Sequence, residues 1–241
     1  AVIACRSLDY SAPLSTPAMR VPQVQVEPLA DAKVEAFLHR YSPAHAAELW
    51  EQLRGATVLG ALRWPFFLRL LVEAAEETGR WEADVAALFT AAVRRSLVRE
   101  IERHNPLLDP NGLVDARDHE RILSGRGWRD RYELPERGSL FGRLAKLAYG
   151  MQAAAAEHAS YQVRIRYAEA VALLGGGGDG VDGAKTIRVG AALGVLDEDR
   201  AADDVTFRHQ LGQEYFAGRA MARPPDLDLV RRPWLAAQTR P

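Results

Sequence analysis

The stretch Thr206-Phe207-Arg208-His209-Gln210-Leu211-Gly212-Gln213-Glu214-Tyr215-Phe216-Ala217-Gly218-Arg219-Ala220-Met221 constrains the fold more than any other part of the chain. Val205-Thr206-Phe207 reads as a strand, and the residues that follow carry helical spacing, so a strand must turn directly into a helix here. Phe207, Leu211, Tyr215 and Ala217 to Met221 form one expected buried stripe. A histidine, His209, stands at the turn, and a polar Gln213-Glu214 pair follows one turn later. Packing alone requires neither.

The elements leading into this block have a definite order. Leu140, Leu144, Leu147, Ala148 and Met151 line a helix, Tyr161 to Ile165 alternates as a short strand, and Tyr167 to Leu174 reads as a second helix. Lys185 to Leu193 is a third helix; Gly194 to Glu198 and Asp204 to Phe207 are the arms of a hairpin turning at Asp199 to Asp203. Helix, strand, helix, helix and hairpin predict a winged helix over residues 138–222. Its wing carries Asp197, Glu198, Asp199, Asp203 and Asp204 against Arg200 alone, so it would repel phosphate, and DNA binding is not expected. The glycine run from Gly175 to Gly183 fails as a phosphate cradle: Asp179 and Asp182 have the wrong sign and no buried strand precedes it. It reads as a linker between helices.

Before residue 105 the pattern is different. Val2 to Cys5 is a short apolar run ending in Arg6-Ser7, as in a buried parallel strand, and ligands of open α/β sheets bind at that carboxyl end. Three prolines between Ser11 and Pro22 mark a loop, and Val24 and Val26 alternate with polar residues as an edge strand stopped by Pro28. From Leu29 the period becomes helical. Val34, Phe37, Leu38 and Tyr41 line one helix; Ala46, Leu49, Trp50 and Leu53 line a second; a third starts at Pro65 and carries Phe67, Leu70, Leu71 and Ala74. Val85 to Ile101 is a long helix whose arginines, interspersed with Glu100 and Glu102, predict a solvated, salt-bridged face rather than a nucleic-acid surface. Residues 105–137 read as a connector or insertion, with helix only from Asp118 to Leu123.

Phe207-x-His209-x-x-x-Gln213-Glu214-Tyr215-Phe216-Ala217 resembles the block that closes the winged-helix domain of NACHT-type STAND NTPases, signal-transducing ATPases related to immune receptors. Val2-Ile3-Ala4-Cys5-Arg6-Ser7 is similar to that family's sensor strand, although Ser7 stands where the family has proline and Ala4 where it has threonine. Leu62-Arg63-Trp64-Pro65-Phe66 resembles its proline at a helix start. The three occur in the family's order and span nearly the whole chain. The resemblance implies that Arg6 watches the terminal phosphate, that Pro65 packs on adenine, and that His209 reaches the phosphates of bound ADP. From the residues alone, Arg6 can equally pair with a carboxylate at a strand end, Pro65 can be a plain first-turn proline beside core aromatics, and His209 can cap its helix.

The fold expected on these grounds is mainly α: a small helical domain over 29–104, the connector over 105–137 and a winged helix over 138–222. The resemblance makes residues 1–28 trailing strands of an α/β nucleotide-binding domain and 223–241 the start of a downstream helical region. The function it implies is the regulatory part of a STAND ATPase in bacterial defence or signalling, closed on ADP and opened by ATP exchange. ADP or ATP with Mg would be the cofactor of the full-length protein. None of Lys33, Lys146 and Lys185 lies in a phosphate-loop context, so these residues alone are not expected to bind nucleotide tightly or to be active. Expected partners are an upstream nucleotide-binding domain, downstream sensor repeats and, when activated, further copies of the chain.

With 31 basic against 32 acidic residues there is no global field to recruit nucleic acid or an acidic membrane. The single cysteine, Cys5, excludes an intrachain disulfide framework and makes the cytoplasm the default setting, and no apolar run predicts a membrane span. No hydrolase or metal motif is present, and His39, His45, His104, His119 and His158 read as surface residues. A winged-helix transcription regulator and a non-catalytic helical scaffold are the alternatives.

Overall fold

The structure, a computed structural model, describes residues 26–78, 84–110, 112–125, 127–157, 164–175 and 183–222. The expectations for Arg6 and the strand before it, the proline loop, Tyr161 to Val163, residues 176–182 of the glycine run, His158 and residues 223–241 lie outside these. The described residues are mainly helical, with ten α-helices and one three-stranded antiparallel sheet.

The first five helices are α1 (Asp31–Tyr41), α2 (Ala46–Leu53), α3 (Leu59–Leu62), α4 (Pro65–Thr78) and α5 (Val85–Glu102). Their apolar faces meet in one core, in which Val34, Leu38, Leu62 and Leu68 are fully buried. Pro65 opens α4 because a proline in the first turn forfeits no intrahelical hydrogen bond. Asp84 starts α5, its carboxylate accepting from the amides of Ala86 at 2.9 Å and Ala87 at 3.4 Å. Of the expected edge strand, residues 23–25 lie outside the described residues, and the chain from Val26 to Ala30 is irregular. Pro28 has no amide proton to give a ladder, and the Leu29 amide donates to the carbonyl of Arg63 at 2.7 Å. The α5 arginines make the expected ion pairs, Arg95 with Glu73 at 3.2 Å and Arg99 with Glu100 at 3.4 Å.

The segment read as a connector is built into the second core. A 3-10 turn at Pro106–Leu108 and α6 (Ala116–Leu123) punctuate it, and Leu108, Leu113, Val114, Ile122 and Leu134 are all buried with the helices that follow. Gly138 closes it: a β-carbon there would lie 2.2 Å from the carbonyl oxygen of Leu113, which accepts from the amide of Leu140 at 3.0 Å.

The remaining elements are α7 (Leu140–Glu157), β1 (Arg164–Arg166), α8 (Tyr167–Leu174), α9 (Gly183–Ala192), β2 (Leu196–Asp199), β3 (Asp204–Phe207) and α10 (Gln210–Met221), in the order the sequence predicts. The strands pair as β1-β3-β2, with Ile165 opposite Val205 and Leu196 opposite Phe207. α9 turns most of its surface inward: Thr186, Ile187, Val189 and Gly190 are buried, and the Pro106–Leu108 turn packs against it.

The expected stripe on α10 is also corrected. Gly212, Gln213, Phe216 and Ala217 are its buried residues, whereas Leu211 and Tyr215 are half-buried and Gly218 is exposed. The reason is that α10 serves two cores. Phe216 and Ala217 join the core of α7 to α9, Leu211 leans on the core of α1 to α5, and Tyr215 packs against both.

Candidate functional site

His209 and the start of α4 meet in space. His209 is the N-cap of α10, with extended backbone at φ −133° and ψ 135°, and its carbonyl accepts from the amides of Gly212 at 2.9 Å and Gln213 at 3.1 Å. Its side chain makes no capping hydrogen bond. The imidazole instead stacks on Phe66, with centroids 3.6 Å apart and planes inclined by 29°, and lies 6.3 Å from the ring of Phe67. Phe66 directly follows Pro65, which is exposed, and Trp64 beside it is 41% exposed. The first turn of α4 and the N-cap of α10 therefore adjoin, and both are helix amino ends, where backbone amides carry positive partial charge.

An aromatic seam continues inward from this contact. Phe67 meets Phe89 edge-on at 5.4 Å, Phe89 stacks on Tyr215 at 5.8 Å and 17°, and Tyr215 meets Phe216 edge-on at 5.0 Å. Gly212 lets the helix sit this close, since a β-carbon there would be 3.3 Å from the Phe89 ring. The Tyr215 hydroxyl is satisfied by Thr90 at 2.7 Å.

A strap from Trp128 to Glu133 fastens the far side of the seam. Arg94 on α5 donates to the carbonyls of Asp130 and Glu133, both at 2.7 Å, with its guanidinium 4.4 Å from the Trp128 ring centroid. Arg219 on α10 donates to the carbonyl of Tyr132 at 2.9 Å, and the Tyr132 hydroxyl donates to Asp84. Burial alone would raise the Asp84 pKa. The bonds from Tyr132 and the two capping amides, with Arg131 nearby, outweigh it and hold the carboxyl below its ordinary value.

A charged cavity of about 520 Å³ lies away from His209, lined by Arg117, Asp118, Glu120, Arg121, Arg129, Glu133, Glu136 and Arg137. Its signs cancel, and its centre is already satisfied: Glu133 accepts from both terminal nitrogens of Arg121 at 2.8 Å, from Arg129 Nε at 2.7 Å and from the Arg129 amide. The Arg121 bond, chiefly, pulls the Glu133 pKa down to about 2 despite its burial. This is an ion-pair network that fixes the strap.

Of the three residues singled out from sequence, Pro65 and His209 lie on adjoining elements, joined through Phe66, and Arg6 is outside the described residues. Thr90, Tyr132 and Arg219 carried no local signal, because their partners are distant in sequence. Among the described residues no cluster of three or more His, Cys, Asp or Glu side chains could hold a metal ion, and no helix is long and apolar enough to cross a membrane. The chain is thus a mainly helical protein with a small antiparallel sheet and an aromatic contact between two helix starts. No family model matches it, and no curated protein or solved structure does so either.

Proposed function

We propose that this chain is the regulatory part of a signal-transducing ATPase of the NACHT-type STAND class, holding ADP in a closed state and opening on ATP exchange. The observation that carries this reading is the meeting of Pro65-Phe66 with His209. The resemblance gives these two sites opposite ends of one nucleotide, adenine and phosphate, and the two adjoin although 144 positions apart in sequence. Two adjoining helix amino ends suit an anion. The elements from α7 to β3 follow the order of a winged helix, with β2 and β3 as its wing.

In this reading His209 and Pro65 bind, and Arg6 senses the terminal phosphate. The phosphate loop and the Mg-holding acids come from an upstream nucleotide-binding domain, and Mg-ATP or ADP is the ligand of the full-length protein. The protein works in the cytoplasm, downstream repeats act as sensor, and further copies of the chain assemble on activation. A DNA-reading role is disfavoured because the helix that would enter a groove, α9, packs against the Pro106–Leu108 turn and turns Thr186, Ile187, Val189 and Gly190 inward, and the wing is acidic.

The test is nucleotide content. Full-length protein purified without added nucleotide should release ADP on denaturation, and Pro65→Ala should lower that content. Protein that carries no ADP and binds none when it is added defeats the proposal.

A further inference from the structure

We propose that the segment from Trp128 to Glu133 is a latch on α10, hinged at Glu133 and caught at Asp84 through Tyr132, and that its opening frees the last turn of α10 from α5. The inference goes beyond the nucleotide reading and does not depend on it.

The two ends of the segment are held very differently. At Glu133 both carboxylate oxygens are taken: Arg121 donates to each at 2.8 Å, and Arg129 adds its Nε and its amide. The Glu133 side chain is 3% exposed, so breaking this cluster would strand a buried charge without its partners, which makes opening here costly. Arg94 reinforces the hinge from α5, donating to the carbonyls of Asp130 and Glu133 with its guanidinium over Trp128.

At Tyr132 the catch is a single side-chain hydrogen bond. The hydroxyl donates to Oδ2 of Asp84, whose Oδ1 already serves the amides that begin α5. Tyr132 is 37% exposed and the Asp84 side chain 30%, so water can take over both groups when the bond breaks. A guanidinium nitrogen of Arg131 lies 3.7 Å from the same Oδ2, an ion pair open to solvent that adds little. The residue that makes the catch also carries the load: the Tyr132 carbonyl accepts from Arg219, in the last turn of α10, at 2.9 Å. Asp84 at the start of α5 and Arg219 near the end of α10 are therefore joined through one residue. When the hydroxyl lets go, the carbonyl that holds Arg219 moves with it.

The peptide bond between Arg131 and Tyr132 lies at the catch and is a trypsin site, so its cleavage in the folded chain reads the open population. Tyr132→Phe removes the hydroxyl. Asp84→Ser keeps one oxygen to cap α5 and lacks the second. Each should speed cleavage at this bond by roughly tenfold, the size of one hydrogen bond to a charged group at a partly exposed site, and the two together should do no more than either alone. Hydrogen exchange at the amides of Gly218 to Met221 should rise in step. Val34→Ala, which weakens the core of α1 to α5 without altering the segment's bonds, should leave the cleavage rate as it was. Unchanged cleavage in Tyr132→Phe and Asp84→Ser overturns the proposal, and so do additive effects of the two. Cleavage that quickens equally in Val34→Ala overturns it as well, because the cut would then require global unfolding. Faster cleavage with the α10 amides as protected as before would leave a loose loop and no latch.

Discussion

The hydroxyls of Tyr215 on α10 and Thr90 on α5 lie 2.7 Å apart across 125 residues of sequence, and they are the polar pin in an otherwise aromatic seam. Thr90 also donates to the carbonyl of Ala86 at 2.8 Å, so it can accept from Tyr215 while remaining satisfied itself. Removing the tyrosine hydroxyl leaves no orphaned donor. Tyr215→Phe should therefore cost only about 0.5–1.5 kcal/mol, the net worth of one hydrogen bond. Pairing it with Thr90→Val in a double-mutant cycle under urea should show coupling between the sites; additive losses would mean the pin contributes nothing.

Gly138 makes a stronger claim. A β-carbon at 2.2 Å from the Leu113 oxygen and 2.8 Å from the Val114 Cα meets backbone, which cannot rotate away as a side chain can. Gly138→Ala should destabilise by roughly 1–3 kcal/mol, the range of overpacking, even though it adds a single carbon at a half-buried site. Thermal melts of this variant and of Gly142→Ala, where a β-carbon meets nothing within 4 Å, separate the two cases. Equal melting temperatures would mean that the segment before α7 is loosely held.

That segment marks the limit of what the sequence discloses. Helices α1, α2, α4 and α5 are legible because their apolar residues recur with helical period, and the order from α7 to α10 is legible because each element is bounded by turn residues. Residues 105–137 are opaque for the opposite reason. Leu108, Leu113, Val114, Ile122 and Leu134 enter the core singly or in pairs from turns, irregular chain and the short α6, without a sustained period, amid Pro, Gly, Asp and Arg. Seven Leu, Ile and Val residues in so polar a stretch are the one available hint. On α10, helical spacing gives a stripe but not the fact that two cores share the helix. For the site, Pro65 and His209 are visible through resemblance, whereas the Phe66 stack that joins them is a tertiary contact that no local pattern encodes.

Acid should loosen the strap. Glu133 titrates near 4.5 when unperturbed and at about 2 in the fold, so its folded pKa is depressed. The corresponding stability is fully present above pH 4.5 and is lost as pH falls from 4.5 towards 2. Arg129 is 70% exposed, and solvent screening weakens its share. The network is then worth on the order of 1–3 kcal/mol. Urea unfolding at pH 7 should show Glu133→Gln less stable than the parent, and the gap should shrink between pH 4 and pH 3. A gap that does not change with pH would place the effect in packing rather than in charge.

His209→Ala separates binding from folding. The imidazole makes no capping hydrogen bond and sits half-buried against Phe66 and Phe67, so deleting it should lower stability by about 0.5–1.5 kcal/mol and leave α10 in place. If His209 reaches the ADP phosphates in the full-length protein, the same change removes one hydrogen bond to a charged group. Such a bond is worth about 1.5–3 kcal/mol, which is roughly ten- to a hundredfold in affinity. A ligand that grips only the closed state shifts the closed–open balance by that differential, so the variant should also signal or assemble without its trigger. ADP retention after gel filtration, measured beside a urea melt, reads both quantities. Fast ADP loss with a small change in stability supports the phosphate contact, whereas a large loss of stability with ADP retained would make His209 a structural residue.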